Sequence, residues 1–335
     1  MKRRLTTGVV CAVAGASLVL AGCGSTNDDT GSTPSENVES ATIKLGLIGG
    51  APSITAAHLL DANDQGTTVN DYEATLVNAP DEIVAKLVNG EFDAATVPPN
   101  LAAMLYNRTE GGVRVVAVNT LGLIQVVSSD ESVQTLEDLS GTTIEAAGKG
   151  AVPEYTLDAV LRESGLTPGR DVTVTYHPGH EEVTTLLATG RTDTAALPAP
   201  SLVNVMKERD DLRVVADLTD AWEELYPDSL YAQGSLVLST AFIDEHPEAA
   251  EAFVEEYRES AEAVEDDVQK TAELTGTYDI MPTPVAVEAI PLSHQVFITG
   301  EELRSGLTPF LEMLFEADPK SVGGAVPDDD FYYSS

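Results

Sequence analysis

The amino-acid sequence predicts an α/β protein made of two lobes, each containing a mostly parallel sheet with flanking helices. Its 335 residues are enough for two ordinary domains. Short apolar runs with the character of strands alternate with stretches of helical periodicity, a pattern typical of parallel sheets covered by helices. Two such units also recur further along the chain, so we expect two similar lobes with a hinged cleft between them.

The individual elements follow from local patterns. The run IKLGLI (43–48) predicts a strand, and Ser53 is placed to cap the helix that follows it. Further short strands are expected at 113–118, 143–147, 172–176 and 212–216. A long helix begins at Pro247, because proline is favoured in the first helical turn. Its buried face is expected to contain residues three or four positions apart, namely Phe253, Tyr257, Ala261 and Val264.

An internal repeat is the main indication of two similar lobes. DEIVAKLVNGEFDAATVP (81–98) aligns with EEVTTLLATGRTDTAALP (181–198) at an offset of 100 residues. Each copy predicts a helix, a glycine at its C-terminal end, a short strand and a proline that ends the strand. The sequence GAP at 50–52 is echoed by GAVP at 150–153. One alternative is that the match is a coincidence. Another is that any helix–glycine–strand unit resembles another. Identical pairs include Gly90/Gly190, Asp93/Asp193 and Pro98/Pro198.

Composition excludes several classes of protein. The chain has 18 Lys and Arg against 55 Asp and Glu, a formal net charge of −37, so a nucleic-acid partner is not expected. The acidic surface alone indicates solvation and suits high salt, without pointing to a specific partner. The two cysteines, Cys11 and Cys23, exclude a disulfide framework and a cysteine-based zinc site in the body of the protein. We expect no cofactor.

The N-terminus predicts an export signal and a tether. A basic start (KRR, 2–4) precedes a mostly apolar run at 9–19, which is too short to span a membrane. Leu20-Ala21-Gly22-Cys23 resembles a bacterial lipobox, which implies removal of residues 1–22 and acylation of Cys23, with palmitate as an acyl chain. The alternative is an ordinary secretory signal. Residues 23–40 are polar and predict a flexible tether.

Polar and glycine-rich residues follow the predicted strands and are candidates for a ligand site. In open α/β sheets, ligands bind beyond the carboxyl ends of strands and near helix N-termini. Lys149 would add positive charge for an anionic ligand, whereas each of the other residues alone is more often a cap or turn residue. The expected ligand-binding residues are Gly50, Ala51, Pro52, Ser53, Pro99, Asn100, Asn119, Gly148, Lys149, Gly150, Ala151 and Gln233.

Two other readings of polar clusters are weaker. His177 and His180, followed by Glu181 and Glu182, have a spacing that allows a metal site, but a strand-to-helix loop explains them better, and we expect no metal. Gly148-Lys149-Gly150 lacks the Gly-Lys-Ser/Thr ending of a nucleotide-binding P-loop.

Trp222 is expected in the core in preference to a ligand-stacking role. Motifs of serine hydrolases, zinc proteases and dinucleotide-binding enzymes are missing, and we expect no catalytic residues.

Four segments together resemble the nitrate/sulfonate/taurine (NitT/TauT-type) substrate-binding lipoproteins of ABC transporters. They are ESVQTLEDLSGTTIEAAGKG (131–150), 181–200, STAFIDEHPEAAEAFVEEY (239–257) and SVGGAVPDDDFYY (321–333). The resemblance implies a periplasmic-binding-protein fold of the second type, in which the chain crosses twice between lobes. We expect the first crossing at 121–128 and the return at 234–239. Lobe 1 would contain 41–124 and 236–335, and lobe 2 would contain 125–235.

The same resemblance implies a function. The expected protein is a non-enzymatic receptor, attached by a lipid anchor to the extracytoplasmic face of the membrane. We expect it to be a monomer whose partners are an ABC permease and its ATPase subunit. The family spans nitrate, bicarbonate, sulfonates and thiamine-precursor pyrimidines, so the ligand is a small polar organic molecule or a small anion, with the former favoured. One alternative is a biosynthetic enzyme on the same fold, of the pyrimidine or menaquinone-precursor type. Another is an adhesin.

Overall fold

The computed structural model describes residues 39–77 and 79–334. The predicted signal peptide, nearly all of the tether and the candidate lipidation residue Cys23 lie outside the described residues. Within the described part, no helix combines the length and the apolar character needed to cross a membrane.

Strands and helices alternate along the chain, as the sequence predicts. The strands are β1 (Thr42–Ile48), β2 (Asp71–Val77), β3 (Ala94–Val97), β4 (Val113–Thr120), β5 (Ile124–Ser128), β6 (Thr143–Ala147), β7 (Thr173–His177), β8 (Thr194–Pro198), β9 (Arg213–Asp217), β10 (Gly234–Ser239) and β11 (Gln295–Ile298). The helices are α1 (Ala57–Asp64), α2 (Pro80–Val88), α3 (Pro99–Arg108), α4 (Val152–Glu163), α5 (His180–Ala188), α6 (Ala199–Glu208), α7 (Leu218–Leu225), α8 (Thr240–Glu245), α9 (Pro247–Asp266), α10 (Val268–Thr277), α11 (Thr283–Ala289) and α12 (Gly300–Ala317). Short 3-10 helices occur at Ala51–Ala56, Glu137–Leu139, Ile290–Leu292, Pro319–Val322 and Asp329–Phe331.

The strands form two sheets with helices around them. The first sheet has the order β11-β4-β10-β3-β1-β2, and the second has the order β7-β6-β8-β5-β9. Pairs β1–β2, β1–β3, β6–β7 and β6–β8 are parallel, whereas β10, β11 and β5 run antiparallel to their neighbours. The predicted two-sheet α/β fold is confirmed, with sheets that are mixed where the expectation was mostly parallel. The antiparallel strands β5 and β10 are those next to the connections between the sheets.

The chain passes between the sheets through residues 121–123 and 218–233. The first passage is three residues long, and Leu121 N–H donates to the His294 carbonyl at 3.1 Å. Strand β5 then starts beside the carboxyl end of β8, where Ile124 pairs with Pro198. The carboxyl edge of the first sheet therefore lies next to the carboxyl edge of the second, because so short a connection spans little more than ~10 Å.

The internal repeat is confirmed by matching geometry. Gly90 and Gly190 both adopt positive φ, 69° and 64°. Both donate to the carbonyl three residues earlier, on Leu87 and Leu187, at 3.1 Å in each case. Only glycine adopts this left-handed conformation without strain, which explains why both copies keep it after the helix.

A continuous apolar core extends from one sheet to the other. It contains Val97, Val115 and Phe310 with the first sheet and Ile144 and Leu157 with the second. Trp222 is 1% exposed and belongs to this core, as predicted. The long helix predicted from Pro247 is α9, and the four residues predicted for its buried face are all buried. The fold thus places two similar edges side by side above a shared core.

Candidate ligand-binding site

The two facing edges share one construction. Strands β1, β3, β6 and β8 each end at this boundary and are followed by a helix or 3-10 helix. Each of these four helices has a proline in its first turn: Pro52, Pro99, Pro153 and Pro200. Proline fixes the backbone near helical φ and has no N–H to donate. The helix N-termini at this boundary therefore offer fewer backbone N–H donors than four helices without proline in the first turn would.

The turn after β1 is held by internal hydrogen bonds. Gly50 has φ of 102°, and its N–H donates to the Ile280 carbonyl at 3.2 Å. Ser53 lies inside the 3-10 helix and does not cap it, so this capping prediction is wrong. Its hydroxyl is fully buried and donates to the Ile48 carbonyl at 2.7 Å, close to Thr96 Oγ1 at 2.8 Å. This hydroxyl is therefore already hydrogen-bonded inside the protein. Its contact with Thr96 joins residues 43 positions apart, which a local sequence pattern does not reveal.

The other predicted polar residues of the first edge also support the fold. Asn119 is fully buried, and its Nδ2 donates to the Pro52 carbonyl at 2.8 Å, tying β4 to the turn after β1. Asn100 Nδ2 donates to the Ser321 carbonyl at 3.3 Å, which attaches the start of α3 to the C-terminal segment. Ala51 and Pro99 are buried. These side chains lie where the sequence places them, with their donors directed into the protein.

On the second edge, residues 148–151 form a closed turn. Gly148, with φ of 85°, donates to the His177 carbonyl at 3.2 Å, and Ala151 N–H donates back to the Gly148 carbonyl at 3.1 Å. The Gly150 N–H donates to the Glu154 carboxylate. Lys149 is exposed. The N–H groups of Gly148, Gly150 and Ala151, which were predicted to bind an anion, therefore already have partners within the protein. The Lys149 ammonium remains as the positive group of this edge.

Two glutamines carry unpartnered amide atoms at the interlobe end of the first sheet. Thr120, the last residue of β4, is paired with Gly234 on β10 and with Gln295 on β11. Gln233 precedes Gly234, and its own N–H donates to the Thr120 carbonyl at 2.9 Å. Gln233 Nε2 and Gln295 Oε1 are buried and have no hydrogen-bond partner among the described residues. The sequence predicts Gln233 at this site and does not reveal Gln295.

A charge pair joins the two sheets near these glutamines. His294 Nε2 lies 3.9 Å from Asp217 Oδ2, within the distance of an ion pair when the imidazole is protonated and beyond hydrogen-bonding distance. Burial opposes ionisation of Asp217, but His294, the Gln125 amide and the Thr219 N–H outweigh it and lower the pKa of Asp217 to about 2. The Asp217 carboxylate in turn raises the pKa of His294. The carboxylate is thus charged at neutral pH.

The two histidines considered as metal ligands differ in their hydrogen-bond partners. His177 lies between two carboxylates, with Nε2 at 2.7 Å from Glu145 and Nδ1 at 3.3 Å from Glu182. The hydrogen bond with Glu145 is the main reason that the pKa of His177 is raised. Burial lowers the pKa of His180, whose Nδ1 has no partner among described residues. No group of three or more His, Cys, Asp or Glu side chains in the described part is arranged to hold a metal.

A cavity of about 490 Å³ lies outside the predicted site. It is lined by Leu121 and Thr219, by residues 226–231 and by Glu302, Ser305 and Gly306 of α12. None of the residues predicted to bind ligand contributes to it, although Leu121, which directly follows β4, does.

Comparison with known proteins identifies the class. Residues 67–223 match the family model described as ABC transporter, phosphonate, periplasmic substrate-binding protein. The predicted resemblance to ABC-transporter substrate-binding proteins is confirmed. The matched family and the similar solved structures are periplasmic solute-binding proteins and not enzymes, so the prediction of a non-enzymatic protein is confirmed, and the biosynthetic-enzyme alternative loses its support. No curated protein gives a significant match to the chain.

Solved structures agree on the fold of the substrate-binding protein. An ABC transporter protein from Parabacteroides distasonis superposes with a TM-score of 0.73 and 22% identity, covering 88% of this chain and 99% of that one. The periplasmic aliphatic sulphonate-binding protein SsuA from Escherichia coli gives 0.69 and 15%, covering 88% and 92%. The nitrate-binding protein NrtA from Synechocystis gives 0.55 and 14%, covering 87% and 83%. At these identities the similarity establishes the type II periplasmic-binding-protein fold alone.

Proposed function

We propose that this substrate-binding protein captures a small solute between its lobes and delivers it to an ABC permease with its ATPase subunit. The observation that carries the proposal is the pair of facing strand edges, between which the described part of the chain passes at residues 121–123 and 218–233. Lobe 1 would comprise 41–124 with 236–335, and lobe 2 would comprise 125–235. A monomer is sufficient for this function, because both walls of the cleft belong to one chain.

Contacts between the two lobes give closure a physical basis. Lys207 on α6 forms an ion pair with Glu288 on α11 at 2.5 Å, and Tyr155 on α4 donates to Asp318 at 3.4 Å. Both pairs are partly exposed and each contributes at most ~1 kcal/mol. Contacts this weak break easily, which suits a cleft that opens and closes around its ligand.

Ligand-dependent closure tests the proposal. Spin labels at Glu208→Cys on α6 and Glu288→Cys on α11 report the distance between lobes in the mature, lipidated protein. A small-molecule extract of the growth medium is expected to shorten and narrow this distance distribution and to raise the melting temperature. A label pair within lobe 2, at Glu208→Cys and Arg170→Cys, should not respond. An unchanged interlobe distance with every extract, or turnover of a metabolite by the purified protein, would contradict the proposal.

The lipid anchor is a second part of the proposal. The lipobox-like Leu20-Ala21-Gly22-Cys23 supports acylation of Cys23. One acyl chain binds membranes only marginally, whereas two acyl chains anchor a protein stably. Cys23→Ala is expected to move the protein from the membrane fraction to the soluble fraction almost completely. Mass spectrometry of the wild type should show a diacylglyceryl group on an N-terminal Cys23. Cys11→Ala serves as the control and should stay membrane-bound. An unmodified mature chain that begins elsewhere would refute the anchor.

A further inference from the structure

The hydrogen-bonding capacity of the proposed cleft points away from an anionic ligand. A compact anion is usually bound by free N–H groups at helix N-termini and by basic side chains. Here prolines occupy the first turns of the four helices at the boundary. The N–H groups of Gly50, Gly148 and Gly150 already have partners. Lys149 is exposed at the margin.

The charges behind the cleft have the wrong sign for an anion. The carboxylates that face His294 belong to Asp217, Asp220 and Glu223, and together they raise its pKa. Protonation of His294 would balance the Asp217 carboxylate, and the other two carboxylates have no such partner facing them. An anion placed near Thr120 would be repelled by the partly buried Asp217 carboxylate, whereas the exposed Asp220 and Glu223 act through water and contribute less.

Two amide groups remain unpaired at this position. Gln295 is 8% exposed, and its orientation is fixed because Nε2 donates to the Ser293 carbonyl at 3.1 Å. Its Oε1 is therefore an acceptor without a donor. Gln233 Nε2, on the other side of Thr120, is a donor without an acceptor. Buried polar atoms are nearly always paired in folded proteins, so two unpaired atoms flanking one residue are candidates for hydrogen bonds to a ligand.

We propose that the ligand is an uncharged organic molecule that presents both a hydrogen-bond acceptor, for Gln233, and a donor, for Gln295. A carboxamide or a ring containing an amide group has this pair of functions. The inference rests on the proposed receptor function and specifies its ligand class. Because neighbouring strands are ~4.8 Å apart and β4 lies between β10 and β11, the two glutamines are about 10 Å apart at the backbone. Their side chains can reach opposite ends of one small molecule.

Fractionation of the extract tests the ligand class separately from the function. The growth-medium extract is divided by ion exchange into anionic, cationic and neutral fractions, and each is added to the lipidated wild-type protein. We expect the neutral fraction alone to raise the melting temperature and shorten the interlobe distance. Activity in the anionic or cationic fraction would overturn the ligand class and leave the receptor function standing. Activity in no fraction would overturn both.

Variants then test the two glutamines. With a dilution series of the neutral fraction, Gln295→Met and Gln233→Met are each expected to shift the half-maximal response by about tenfold, the typical effect of one lost hydrogen bond. Gln269→Met, on the exposed face of α10, should shift it less than twofold. Circular dichroism confirms that each variant folds, and either glutamine variant suffices. Unchanged responses in both folded glutamine variants, or a tenfold loss in Lys149→Ala, would overturn the proposal.

Discussion

Trp222→Ala is expected to lower the free energy of unfolding by about 3–5 kcal/mol, the usual range for removing a large buried aromatic side chain. The ring is 1% exposed and packs on Tyr226 at 4.4 Å, Tyr231 at 5.3 Å and Phe310 at 5.7 Å between ring centroids. Phe310 belongs to α12 beside the first sheet, while Trp222 belongs to α7 beside the second. The substitution therefore opens a cavity where the core passes between the lobes.

The melting temperature of Trp222→Ala should fall by roughly 10 °C, given a few degrees per kcal/mol for a chain of this size. Trp222→Phe is the matched variant, because it keeps an aromatic ring and loses the hydrogen bond from Nε1 to the Ser229 carbonyl at 3.0 Å. We expect it to cost ~1–2 kcal/mol. Trp222 is the single tryptophan, so circular dichroism must follow unfolding. If Trp222→Ala melts within 2 °C of the wild type, the shared core does not link the lobes energetically.

The predictions that succeeded rest on local patterns and on the repeat. Glycine spacing, proline stops and apolar runs specify strands such as β6 and the helix that begins at Pro247, because these depend on neighbours along the chain. The 100-residue offset then relates β3 to β8 and predicts two similar lobes. Local patterns do not specify strand direction across the crossings. The antiparallel placement of β5 and β10 depends on which distant strands they join.

The candidate site stays a prediction, and the structure shows that several of its hydrogen-bonding groups already have partners within the protein. Ser53 and Asn119 lie at the expected edge, but Thr96 and Pro52, which are 43 and 67 residues away from them, use their hydrogen-bonding groups. Gln295 was not predicted because its position beside Thr120 depends on the pairing of β11 with β4, which joins residues 175 positions apart in the sequence. Side-chain burial and pairing are long-range properties, and they decide which polar groups remain available to a ligand.

Gly122→Ala is expected to disturb the contact between the two interlobe connections. Gly122 lies in the first connection, and a Cβ atom there would overlap the Tyr231 ring of the second connection and Thr219 Oγ1. Tyr231 is 2% exposed and stacks on Trp222, so a shift of its ring would disrupt this stacking. Overpacking of this kind typically costs ~1–3 kcal/mol and shifts the backbone. The melting temperature should fall by about 5 °C, with the larger effect on the geometry between the lobes.

Gly179→Ala is the matched control for Gly122→Ala. Gly179 has φ of −148°, which any residue adopts, and a Cβ there meets no atom within 4 Å. This variant should melt within 1 °C of the wild type, and its labels at residues 208 and 288 should report the wild-type distance. In Gly122→Ala the same labels should report a broader distribution without extract, because the displaced Tyr231 no longer fixes one connection against the other. Equal melting temperatures and equal distance distributions in the two variants would show that contact between residues 122 and 231 does not control the arrangement of the lobes.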